Sequence, residues 1–118
     1  MRAPLTPQRL AATYDYLRCW PPFSQWRLPL SDAIEFHTTN RKDCDAECNP
    51  ERPSIMVSLA LNYHLITVLI ATAHEMIHLY QYQQGTDNRY QHNDEFIRIA
   101  KRICRRYAWD VGQFTGGC

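Results

Sequence analysis

The chain has 118 residues, of which 45% are apolar, enough to build one compact core but not two. Lys and Arg number 13 against 12 Asp and Glu, so a net charge of +1 gives the chain as a whole no pull toward nucleic acid or an anionic membrane. No run approaches the roughly 20 apolar residues of a membrane span, and Met1-Arg2-Ala3-Pro4-Leu5-Thr6-Pro7 lacks the apolar stretch of an export signal. The expected protein is cytoplasmic, with a single domain over residues 1–118.

Thr6-Pro7 reads as an N-cap followed by proline at the first helical position, and Leu10, Tyr14 and Leu17 then recur on one face of a helix ending near Trp20. Pro21-Pro22 blocks its continuation. The segment through Pro29 is expected to be an irregular connection that packs Phe23, Trp26 and Leu28 into the core. From Ala33 to Thr39 the residues alternate as in a half-buried strand, with Ile34 and Phe36 on one face and Glu35 and His37 on the other. Asn40 to Pro53 reads as a flexible polar loop. It holds Cys44 and Cys48 in an acidic setting without the further cysteines of a structural zinc site. With Cys19, Cys104 and Cys118 the cysteines are odd in number, and without an export signal reduced thiols are expected. Ile55, Val57, Leu59 and Leu61 alternate with Met56, Ser58 and Ala60 in a second strand. Two placements stay open for residues 54–60: an edge that an extended peptide could pair with, or a plain central strand.

Leu65 to Ala73 is nearly apolar all round, as in a helix buried in a domain interior, and it leads into His74-Glu75-Met76-Ile77-His78. Four residues advance an α-helix by roughly 400° and about 6 Å, so both imidazoles leave the same face one turn apart and can reach one ion. Thr67, His74, His78 and Gln81 form a narrow polar stripe on this rod. Two imidazoles buried without partners would be costly, and a shared metal resolves the cost. Glu75 is offset by about 100° from His74, placing it near a metal-activated water rather than among the ligands. Gly85 suits the helix C-cap, and a second amphipathic helix opens from His92. Gln81 and Gln84 occupy positions where a metzincin needs Gly and His, which excludes that pattern. For a third ligand His92 is the strongest candidate, with Glu95 and Asp94 also within reach.

Taken together, Ala73-His74-Glu75-Met76-Ile77-His78-Leu79 and His92-Asn93-Asp94-Glu95-Phe96 resemble the SprT-like metalloprotease domain. That resemblance implies an α+β, zincin-like core in which a short β-sheet packs on an active-site helix with flanking helices. It implies one catalytic Zn2+ held by His74, His78 and His92, with Glu75 as the catalytic carboxylate and a protein or peptide as substrate. The family includes proteases that act on proteins crosslinked to DNA. Larger members carry a Cys-rich zinc ribbon after the core, from which this chain departs: beyond His92 it has only Cys104 and Cys118.

The last helix separates its chemistry, with Phe96, Ile97, Ile99, Ala100, Ile103, Cys104 and Tyr107 on one arc and Arg98, Lys101, Arg102, Arg105 and Arg106 on the other. This basic stripe is a candidate contact for DNA phosphates, or a plain solvated face. The expected chemistry is peptide hydrolysis with Glu75 as general base. Tyr80, Tyr82 and Tyr90 are candidate donors to the oxyanion. The alternative is a noncatalytic, zinc-stabilised module that binds nucleic acid or protein.

Overall fold

The computed structural model describes residues 5–62, 64–88 and 91–116. Thr6 caps helix α1 (Pro7–Arg18) by accepting the Arg9 N–H, and Pro7 sits at the helix start, where its missing donor costs nothing. Leu10, Tyr14 and Leu17 are buried as the spacing predicts. The helix stops at Arg18, short of Trp20. The connection behind it is packed, with Phe23, Trp26 and Leu28 all buried. The Tyr14 hydroxyl anchors it by donating to the Pro29 carbonyl at 2.5 Å.

Strand β1 (Glu35–Thr39) follows, then β2 (Ala46–Asn49) and β3 (Ser54–Ser58). The sheet runs in the order β1-β3-β2, with β1 parallel and β2 antiparallel to β3. Part of the polar segment 40–53 is therefore a strand. Its alternation is hard to see because only Ala46 and Cys48 turn inward, neither of them a strong β-former, while Glu47 and Asn49 face out. β3 is the central strand, which overturns the edge reading of residues 54–60; β1 and β2 form the two edges.

The cysteine expectation also needs correction. Cys44, buried in the loop before β2, is disulfide-bonded, whereas Cys19, Cys48 and Cys104 are free thiols. Pairing depends on spatial approach, and neither an odd total nor sequence spacing excludes one bridge.

Helix α2 (Leu65–Gln84) is the spine of the molecule and packs against α1, β2, β3, α3 (Asp94–Tyr107) and α4 (Val111–Thr115). Gly85 ends α2 in the left-handed conformation, φ 72°, which a residue with a Cβ adopts only under strain. Asn93 caps α3 through the Phe96 N–H. His92 thus precedes the cap and does not lie in the first helical turn. The result is an α+β fold with a small three-stranded sheet against a buried helix. No helix among the described residues is long and apolar enough to cross a membrane.

Because β3 is paired on both edges and Ile55 is 0% exposed, Ile55→Ala should cost about 2–5 kcal/mol, read as a lower denaturant midpoint with an unchanged slope.

Candidate metal centre

From Val68 to Leu79 the α2 side chains are buried almost without interruption, so the polar groups in this stretch sit in the interior. Thr72 satisfies its hydroxyl locally by donating to the Val68 carbonyl. His74 and His78 leave one face with ring centroids 5.1 Å apart, as their spacing predicts. His92 arrives from the segment before α3 and brings its Nε2 to 3.1 Å from His74 Nε2. One ligand-type atom from each of the three histidines lies within 4.8 Å of the others. Nitrogens arranged tetrahedrally around zinc at about 2.0–2.1 Å stand about 3.3 Å apart, close to the His74–His92 separation.

The tautomer of His74 fits the same purpose. Its Nδ1 lies 2.6 Å from the Phe114 carbonyl, which can only accept, so Nδ1 carries the proton and Nε2 turns a lone pair toward His92. His92 Nε2 can meet that lone pair either as an N–H donor or, with a lone pair of its own, across a shared cation. The donor set suits a divalent ion of the zinc class, for which neutral imidazole is a common ligand.

Phe96 forms the floor under the three rings. It is fully buried, stacks on His92 at 4.5 Å and on His78 at 4.8 Å, and meets His74 edge-on at 4.9 Å. This contact gives a physical reason for an aromatic one turn after His92: it fixes the ring planes while contributing no competing donor.

Glu75 is 1% exposed and opens onto a cleft of about 180 Å³ that it shares with His78, Glu47, Cys48, Pro50, Asp87, Asn88 and Gln91. Its Oε2 lies 3.8 Å from His74 Nε2, and its Oε1 has no hydrogen-bond partner among the described residues. Burial pushes its carboxyl well above the usual carboxylate range, reinforced by the negative charges of Asp45 and Glu47. Burial likewise raises the Cys48 thiol, keeping it protonated at neutral pH.

The remaining candidates lie apart from the cluster. Glu95 accepts a hydrogen bond from Gln81, and Asp94 is exposed in the first turn of α3. Tyr80 stacks on Trp26 at 4.5 Å, Tyr82 is exposed, and Tyr90 lies outside the described residues. Arg98, Lys101, Arg102, Arg105 and Arg106 are all exposed on α3, and Arg98 reaches Glu95 at 4.0 Å. The sequence reading missed the Phe114 carbonyl and the β2 wall of the cleft. A backbone acceptor carries no residue-type signal.

The model of the SprT-like family matches residues 24–112, which include all three histidines and Glu75. No curated protein matches the chain.

In protein stripped of metal with a chelator, Glu75 should oppose folding as pH rises. Its folded-state pKa is above the unfolded value of 4.5, so the unfolded state sheds the proton first and stability falls above that value. Glu75→Gln has no such proton to lose. Denaturation across pH should show it gaining on the native chain from about pH 5 upward and matching it below about pH 4.

Proposed function

The chain belongs to the SprT-like family, and from that premise we propose that it is a zinc-dependent metallopeptidase, with His74, His78 and His92 holding the ion and Glu75 as its catalytic carboxylate. The observation that carries this reading is the convergence of three imidazoles on one point beside a buried carboxylate whose Oε1 has no partner among the described residues.

When bound, such an ion supplies Lewis acidity, acidifying water and polarising a carbonyl oxygen. The chain's own residues do the rest. Glu75 accepts a proton from the attacking water and later delivers it to the leaving amine. Its Oε1, which has no hydrogen-bond partner among the described residues, is available for that work. The Phe114 carbonyl keeps the His74 proton on Nδ1 and the ring in a fixed plane.

Substrate alignment follows from the sheet. Among the described residues no strand pairs with the outer edge of β2, while Glu47 and Cys48 of this strand line the same cleft as Glu75 and His78. An extended peptide adding to that edge would pass the catalytic carboxylate. Backbone pairing of this kind selects for an unfolded segment more than for a sequence. The basic face of α3 supports a further step, that the substrates are proteins associated with DNA, with Arg98, Lys101, Arg102, Arg105 and Arg106 contacting phosphate.

A noncatalytic zinc-stabilised module is the rival reading, and Glu75 separates the two. Glu75→Gln should retain one zinc per chain and lose cleavage of an unfolded protein by about 10²–10⁴-fold; unchanged cleavage removes Glu75 from the mechanism. For the basic face, replacing Lys101 and Arg105 by Glu should weaken binding to single-stranded DNA, with a larger loss at low salt than at high. Equal binding at both salt concentrations would make the stripe ordinary surface.

A further inference from the structure

The geometry points to Gln81 as a positioning residue for His92, acting through the first turn of α3. This inference rests on the metal-centre reading. Gln81 lies on the polar stripe of α2 beyond His78 and is 1% exposed, unusual for a primary amide on a helix whose buried face is otherwise largely apolar. Its Nε2 has two protons and both are used: one goes to Asn93 Oδ1 at 2.9 Å and the other to Glu95 Oε1 at 2.9 Å. Asn93 Oδ1 also accepts the Phe96 N–H that caps α3, so both of its lone pairs are filled by groups with fixed positions.

The connection to the site is short. Asn93 follows His92 directly in the chain, and Phe96 is the floor on which all three imidazoles rest. Gln81 therefore ties the helix that presents His74 and His78 to the residue beside His92. The amide nitrogen of Asn93 closes the loop by donating to the Thr86 carbonyl, and the Thr86 N–H donates to the Gln81 carbonyl. The same clamp draws Glu95 into bonds with Gln81 and Thr86, holding its carboxyl below the usual range and engaged away from the three imidazoles. Positioning by Gln81 would thus favour His92 over a carboxylate as the third ligand.

The first loss expected on breaking the clamp is metal affinity. Partners that orient a ligand are worth about 10–100-fold in metal binding. Titration of the chelator-treated chain with Co2+ alone, read by its visible ligand-field absorption, should show Gln81→Leu binding at least about tenfold more weakly than the native chain. A merely structural role is separated by a cycle with His92→Ala: if Gln81 acts through His92, adding Gln81→Leu to His92→Ala changes affinity no further. Asn93→Ser provides a second route, since serine keeps the helix cap but is too short to reach Gln81, and should weaken Co2+ binding to a similar degree even if Gln81→Leu fails to fold. Equal affinity in the native chain and either folded variant overturns the inference, as does an undiminished effect of Gln81→Leu in the His92→Ala background. A native chain that takes up no Co2+ overturns the metal-centre reading, and this inference falls with it.

Discussion

Desolvation of α2 is the constraint to which the rest of the molecule answers. Its middle turns carry a buried imidazole, a half-buried one and a buried carboxylate, and burying such groups without compensation costs several kcal/mol each. Each neighbouring element supplies part of the compensation. The segment before α3 brings a third imidazole, α4 offers a backbone carbonyl to His74, and Phe96 gives all three rings an apolar floor. Among the described residues none of them supplies positive charge for Glu75. A cation held by the three imidazoles would supply it.

Rigidity follows from the same arrangement. α2 is enclosed by the sheet, α1, α3 and α4, so the imidazoles projecting from it have little freedom to reorient. Its C-terminal stop at Gly85 lets the chain reverse and carry His92 back over the helix from which it came. A site assembled from one long helix and one short return needs few elements, which is how 118 residues can hold both a core and a candidate metal centre.

Much of this was legible in the residues because the relevant periods are strong. Pro at the start of α1, the Leu10/Tyr14/Leu17 face and the near-continuous apolar run before His74 each have one sensible local reading, and the structure follows them. The His74/His78 pair and His92 came together as expected because helical spacing and a glycine reversal leave few other outcomes. What escaped was long-range. β2 has four residues and only two inward side chains, too little alternation to separate it from a polar loop. The central place of β3 depends on that missed strand. The Phe114 carbonyl meets His74 only because distant segments approach, and that leaves no mark in local sequence.

The central claim is a centre made of three imidazoles, and its most direct test is zinc-edge X-ray absorption on chain reconstituted with one zinc. The account predicts a first shell of nitrogen and oxygen alone at about 2.0–2.1 Å, with the outer-shell scattering of three imidazole rings. A sulfur at about 2.3 Å, which Cys48 on the wall of the same cleft would supply, or scattering from only two rings, would contradict it.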